Sequence, residues 1–449
     1  MKFGQKLHET VTAMDDKGCG TFAFALPKNP EETRIVSTPF TVIGDNVVTT
    51  FIRRDNGVWI GQLNDIITPS PDRVAPPCPH AGVCGGCLWQ HISYDAQLKI
   101  KRTKINQALA AAGRAERIGD VIPSPVQLGY RNRMDYVVGW RGEIGLKEYG
   151  SWNKYINLST CLLLDTETPQ ILRTVAGLMK TLGIPPYDSK HRTGNLRYVV
   201  IRRGVNTHER MVILVVKDLA AITPEMQKTI TNELKPFCTS LLLGENPEIT
   251  DLSYGKTFET LHGPNFLTEM VNGITYRIHP NAFFQTNTVM AAELQNTVLD
   301  NLGDMNGKNI LDLYCGLGFF GIACAKRGAN VCGHELDADA IALAKENAET
   351  NGVSATTRWT SGPVEEFRWK SEHPDAVILD PPRSGLHPRA LNAVIKNKPP
   401  VVVYVSCNYR NFIKELTTLT QSYRIEEMKA LDLFPQTPHV ELVTKLVLK

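Results

Sequence analysis

No apolar run in this chain of 449 residues approaches the roughly 18 that a membrane-spanning helix needs. The opening MKFGQKLHETV lacks the apolar core of a secretory leader. Neither membrane insertion nor export is expected, and the expected location is cytoplasmic. Net charge is nearly absent as well, since 49 Lys and Arg against 46 Asp and Glu leave only +3. That is too little to declare a nucleic-acid partner, so any basic surface must be local. One such concentration exists, with Lys99, Lys101, Arg102, Lys104, Arg114, Arg117, Arg131 and Arg133 set against Glu116 and Asp120. The first of these cations lie on Tyr94 to Ala112, which reads as a basic amphipathic helix stopped at Gly113. The chain also lacks internal repeats and low-complexity tracts, which argues against solenoid, fibrous and disordered classes.

What is present is organised in blocks. Residues 1 to about 70 hold short β-rich pieces punctuated by Gly18, Gly20, Gly44 and Gly57, the pattern of a small β-barrel. A Pro-rich boundary follows at 68 to 79. From Tyr130 to about Ile278 β-rich pieces such as LRYVVIRR (196 to 203) dominate, and an α+β middle domain is expected. After His279 strand and helix alternate, which implies a doubly wound α/β sheet with ligands at the carboxyl ends of its strands.

Ten cysteines in a chain expected to be cytoplasmic suggest a metal or catalytic site more than a disulfide framework. Cys78, Cys84 and Cys87 form C-x5-C-x2-C among Gly82, Gly85 and Gly86, and Cys161 is the candidate fourth ligand. Four thiolates suit either Zn²⁺ or an iron–sulfur cluster. The spacing is not the C-x3-C-x2-C of radical enzymes, so a structural or redox site is expected.

The strand at 309 to 314 runs into Gly316 and Gly318, which permit a tight turn and close backbone approach to a ligand. Glu335 lies 19 residues beyond Gly316, where an acid meets ribose hydroxyls. The third glycine of a G-x-G-x-x-G is missing, since Phe319 and Phe320 follow Gly318. A pyrophosphate needs that fit, so S-adenosylmethionine is favoured over NAD. Asp380, in AspProProArg after the next apolar strand, could face the cofactor or the reacting base.

VVVYVSCN (401 to 408) ends a buried strand on Cys407 beside the same crevice. A thiolate there could act as nucleophile. An acceptor that needs one is a pyrimidine C5, which becomes enolate-like only after addition at C6. A base must then remove the C5 proton, and Glu441, beside His439, is placed to supply it.

FFQTN (283 to 287), DLYCGLG (312 to 318), LDPPRSG (379 to 385), YVSCN (404 to 408) and FPQTPHVE (434 to 441), in this order, resemble the RNA 5-methyluridine methyltransferases. CPHAGVCGGC (78 to 87) is similar to that family's iron–sulfur site, and the first seventy residues to its OB-like RNA-binding TRAM barrel. The resemblance implies a Rossmann-like class I methyltransferase domain, with Cys407 as nucleophile and Glu441 as base. It implies S-adenosylmethionine contacts from Gln285, Tyr314, Gly316, Glu335 and Asp380. It also implies a [4Fe–4S] cluster on Cys78, Cys84, Cys87 and Cys161. The domains it implies are 1–70 for the barrel, 71–93 with 126–280 for the central domain, and 94–125 with 281–449 for the catalytic domain.

The chain departs from the family pattern at SerGlyPro (361 to 363), Phe319 and Gln436. RNA is the expected partner, 23S ribosomal RNA ahead of transfer RNA, with no membrane and no obligate protein partner. Unstacking of the target base is required, and Tyr130, Arg131, Arg133 and the basic helix are candidate RNA contacts. The competing readings are a cytosine C5 enzyme using the same thiol addition, and a noncatalytic RNA-binding iron–sulfur protein.

Overall fold

A computed structural model of the chain describes residues 2–26, 29–369 and 372–449. Among the described residues the strands fall into four sheets. The first holds β1 (Lys6–Thr10), β2 (Ala13–Met14), β3 (Gly20–Leu26), β4 (Asn29–Thr38), β5 (Asn46–Asp55) and β6 (Val58–Thr68), in the order β1-β5-β6-β4-β3-β2. Only Val11 and Thr12 separate β1 from β2, so one stretch of chain pairs with β5 at its start and β3 at its end. The sheet therefore curls back on itself. Alternating positions, such as Val47 and Phe51, point inward with Leu7, Phe22, Val36 and Trp59.

Helix α1 (Tyr94–Ala111) lies where the sequence places it, but its cations do not form a basic face. Lys101 is fully buried and pairs with Asp432 at 2.6 Å. Lys104 reaches Asp16 at 2.7 Å and Arg102 pairs with Asp120. Three of the four cations on this helix thus have intramolecular partners, while Lys99 is exposed. Its apolar stripe, Ile105 and Leu109, joins the core under the last sheet with Leu311, Phe412 and Leu446.

The second sheet runs β13-β12-β11-β10-β7-β8-β9, built from β7 (Arg133–Val138), β8 (Ile144–Lys147), β9 (Tyr155–Asn157), β10 (Leu196–Arg203), β11 (Arg210–Val216), β12 (Ser240–Glu245) and β13 (Thr257–His262). Its central strands are apolar on both faces because both faces are covered. Val199, Ile201 and Val212 pack with α2 (Thr168–Leu182) and α3 (Pro224–Leu234). Val200, Met211 and Ile213 face a core shared with the last domain. A hairpin of β14 (Leu267–Val271) and β15 (Ile274–Ile278) turns at Asn272 and Gly273, both at positive φ, as a two-residue Asn-Gly turn requires.

After α4 (Thr288–Leu302) comes the doubly wound unit. It comprises β16 (Asn309–Leu313), α5 (Phe319–Lys326), β17 (Asn330–Glu335), α6 (Ala338–Thr350), β18 (Thr357–Ser361), β19 (Ala376–Leu379), α7 (Pro388–Asn397), β20 (Val401–Ser406), α8 (Tyr409–Leu419), β21 (Tyr423–Leu431) and β22 (Glu441–Leu448). The order is β18-β17-β16-β19-β20-β22-β21, parallel except for β22, which runs antiparallel to both neighbours. The expected α/β architecture is present. The strand order reverses between β16 and β19, so the crevice for a ligand opens at their carboxyl ends. Among the described residues no helix is long and apolar enough to cross a membrane.

Candidate active site

The carboxyl edge of the last sheet collects the residues singled out above. β16 leads to Asp312 and Tyr314, β17 to Glu335, β19 to Asp380 and β20 to Cys407, while antiparallel β22 begins at this edge with Glu441. Ser406 is in register with Leu442, which carries Cys407 opposite Glu441.

The turn after β16 is held by main-chain geometry. Tyr314 sits at φ 63° and donates its N–H to His334 O at 2.9 Å. Gly318, at φ 88°, is hemmed in, since a Cβ there would lie 2.9 Å from Ile322 and 3.0 Å from Trp359. The glycine lets α5 seat against the sheet. The Gly316 N–H donates to Glu335 Oε2 at 3.3 Å, and Asp337 N–H to Oε1 at 3.1 Å. Beside Glu335, where the sequence has SerGlyPro, the Gly362 N–H donates to Glu335 O at 2.9 Å, and the His334 ring packs at a tilt against Phe367 with centroids 4.8 Å apart.

The floor of the crevice is acidic. Asp312 is fully buried, accepts the Gly321 N–H at 2.8 Å through Oδ2, and has no partner at Oδ1. Burial, with Asp380 and Glu335 nearby, pushes its carboxyl up to about 8. Burial and Glu335 likewise push Asp380 up to about 7.

Cys407 is half-buried, and its turn is tied to the AspProProArg loop, because Asn408 and Asn411 side chains each donate to Arg383 O at 2.9 Å. Burial, then the Glu441 and Asp380 carboxylates, push the thiol up to about 11, against the pull of the Arg383 guanidinium. Glu441 is buried, and burial with Asp380 holds its carboxyl well above the usual range, again opposed by Arg383. Arg383 was not singled out from sequence, although it lies within LDPPRSG. Burial, then Arg383, Lys101, Arg131 and Arg410, push His439 down to about 4, so its imidazole is neutral at pH 7.

Gln285 is buried in the turn before α4. Asn132 fixes that turn, its side chain donating to Gln285 O and its backbone N–H to Thr286 O, both at 2.8 Å. A cleft of about 650 Å³ opens alongside, lined by Arg131, Tyr254, Phe283, Thr286, Thr437 and His439. Phe283 is 69% and Tyr254 49% exposed, so aromatic faces stand free at its mouth. Tyr130, a candidate RNA contact in the sequence, is instead buried and donates its hydroxyl to Pro435 O at 3.1 Å.

Cys78, Cys84, Cys87 and Cys161 line one small enclosed cavity with Gln90. Space there is tight, since a Cβ on Gly86 would fall 2.8 Å from Leu146 Cδ1 and 3.5 Å from Cys84 Sγ. The Gly86 N–H points at that sulfur at 3.4 Å. Among the described residues no group of three or more His, Cys, Asp or Glu is arranged to hold a single metal ion. The sequence brought these thiols to one place without the geometry of a mononuclear centre.

The family model for tRNA (uracil-5-)-methyltransferases matches residues 265–448, the span that contains this edge. The tRNA (uracil(54)-C(5))-methyltransferase of Pyrococcus abyssi is 37% identical over 418 residues, covering 92% of this chain and 96% of its own. The chain belongs to the uracil-5-methyltransferase family. This RNA uracil-C5 methyltransferase is also 32% identical over 456 residues to an uncharacterized RNA methyltransferase of Nostoc, covering 99% and 97% of the two chains. Its fold matches the crystal structure of the Pyrococcus abyssi enzyme in complex with S-adenosyl-L-homocysteine, with a TM-score of 0.81, 34% identity, and coverage of 98% and 100%.

Proposed function

We propose that this methyltransferase transfers the methyl group of S-adenosylmethionine to C5 of a uridine, with Cys407 adding to C6 and Glu441 taking the C5 proton. The observation that carries the reading is the register that sets Cys407 opposite Glu441 at the carboxyl edge, with β20 next to β19, which borders the strand-order reversal. The two groups are thus available to one base.

The crevice fits the donor on its own chemistry. A sulfonium cation would favour the ionised forms of Asp312 and Asp380, whose carboxyls burial holds up at about 8 and about 7, and glycines at positive φ allow close main-chain approach. Glu335 would hold ribose hydroxyls, with Gln285, Tyr314, Gly316 and Asp380 completing the contacts. When bound, S-adenosylmethionine supplies an electrophilic methyl. The chain's own work is to add a thiolate, hold the base against it, and accept a proton on the Glu441 carboxylate. The raised carboxyl of Glu441 makes it a stronger base once ionised.

For the cysteine site, four thiols around one cavity with an N–H aimed at sulfur support a [4Fe–4S] cluster in a structural role, with Cys78, Cys84, Cys87 and Cys161 as ligands. The curled N-terminal sheet fits a TRAM-type RNA-binding module, because it sits against the catalytic loops. Transfer RNA replaces ribosomal RNA as the first substrate class, on the strength of the Pyrococcus relative, and a cytoplasmic location follows from such a substrate.

The test is incubation of the protein with labelled S-adenosylmethionine and separate transfer and ribosomal RNA lacking the modification. Label should appear as 5-methyluridine in transfer RNA. Label in cytosine would overturn the uridine reading, and label only in ribosomal RNA would overturn the substrate class. Anaerobically purified protein should carry iron and sulfide in cluster proportion, whereas tightly bound zinc alone would remove the cluster.

A further inference from the structure

The loop between β21 and β22 carries His439 and delivers Glu441, yet residues 432–440 form no strand or helix. Its backbone is nonetheless held at four successive carbonyls, each by a donor from a different part of the chain. The Asn287 side chain donates to Leu433 O at 3.1 Å, Lys101 Nζ to Phe434 O at 3.2 Å, and the Tyr130 hydroxyl to Pro435 O at 3.1 Å. The Trp89 N–H donates to Gln436 O at 3.0 Å. Gln436 itself stands at φ 67°, a region uncommon for a residue with a Cβ. Its conformation is fixed by a reciprocal amide pair, Gln97 Nε2 to Gln436 Oε1 and Gln436 N–H to Gln97 Oε1, both at 2.9 Å. Gln97 is fully buried on α1, and Gln436 lies 339 residues further along the chain.

We infer that Gln97, with Tyr130, is a positioning residue for the proton-removal half of the reaction. The clamp holds the loop so that the Glu441 carboxylate meets C5. This rests on the proposed roles of Cys407 and Glu441. Besides the β20–β22 pairing that brings it opposite Glu441, Cys407 has an anchor of its own outside the clamp, through Asn408 and Asn411 to Arg383 O. Loosening the clamp therefore leaves the first half of the cycle intact. In that half the Cys407 sulfur bonds to C6, the C5–C6 π electrons form the new bond from C5 to the methyl carbon, and the methyl leaves the sulfonium. In the second half the C5 proton passes to the Glu441 carboxylate, the C–H pair becomes the C5–C6 double bond, and the C6–S bond breaks to release the thiolate.

The variants are Gln97→Met and Tyr130→Phe, the latter removing a single oxygen. Two rates are read by denaturing gel under single-turnover conditions: formation of the protein-linked complex on 5-fluorouridine RNA, and its release on ordinary uridine RNA. Misplacement of a reacting group by about 1 Å can cost about 100-fold. On that scale Gln97→Met should slow release at least about tenfold and Tyr130→Phe about threefold. Both should accumulate protein-linked RNA on ordinary uridine, with trapping within about twofold of the parent. Release at the parental rate in both variants, or trapping and release falling by one common factor, overturns the inference. If Gln97→Met does not fold, Tyr130→Phe decides alone. A parent protein that fails to trap 5-fluorouridine RNA strikes instead at the Cys407 reading.

Discussion

The thiol of Cys407 is pushed up to about 11, and this sets a pH profile for covalent trapping. Burial comes first among the causes, then Glu441 and Asp380, with Arg383 opposing. Only the thiolate adds to C6. Below the thiol's pKa its ionised fraction grows tenfold per pH unit, from about 10⁻⁴ at pH 7 to about 10⁻² at pH 9. Trapping on 5-fluorouridine RNA, which offers no C5 proton to remove, should therefore accelerate about tenfold per unit across that window without a plateau. Glu441→Gln removes one of the two carboxylates that raise the thiol. It should trap at least as fast as the parent at pH 8, while release on ordinary uridine stops. A trapping rate flat from pH 7 to 9 would refute the raised thiol as the group that limits addition. A Glu441→Gln protein that traps about tenfold more slowly would show the carboxylate activating the thiol instead, contrary to the sign of their interaction.

Three further outcomes follow from the same geometry. Lys101→Met strands the buried Asp432 and should cost about 3–5 kcal/mol in urea unfolding, with Lys101→Met/Asp432→Asn recovering part of it; equal losses would deny the pair its charge. Gly18→Ala places a Cβ 2.9 Å from Pro438 and Trp89 at φ 85°, and should cost at least about 1–2 kcal/mol and speed proteolysis between residues 68 and 79. An unchanged midpoint would mean that the N-terminal sheet is not seated there. Glu335→Gln loses a charged acceptor and should weaken S-adenosylmethionine binding by calorimetry about 10–100-fold, from about 1.5–3 kcal/mol for such a bond. Unaltered affinity would remove the ribose contact.

Much of this was legible from local pattern. The β-branched runs ending in Asp380 and Cys407 are strands because such runs bury both faces of a parallel sheet, and the paired glycines mark the turn a nucleoside approaches. What escaped was set by partners far away in the chain. The cations of α1 read as a solvated basic surface because sequence displays charge and hides its counter-ion, and Asp432 lies 331 residues from Lys101. A clue was present, since Gln97, Lys101, Ile105 and Leu109 recur every four residues on one face, and all are buried. A lysine and a glutamine on an apolar stripe signal a buried polar network. Arg383 escaped for a similar reason, as its influence on Cys407 and Glu441 exists only where three strands meet.

The docking of the N-terminal sheet works like the fixed jaw of a caliper. Its β2–β3 turn is gripped from outside the sheet, Asp16 between Lys104 and Arg410 at 2.7 Å each, and Gly18 O by Trp89 Nε1 at 2.8 Å. Arg410 lies three residues after Cys407, so this ion pair ties the position of the sheet to the turn that carries the thiol. On the RNA-binding role proposed for this sheet, an RNA held there would have to carry its uridine across the span from the sheet to the thiol in its own folded shape. Under that proposal the three-dimensional spacing of the loop that bears the uridine would weigh more than the sequence around it.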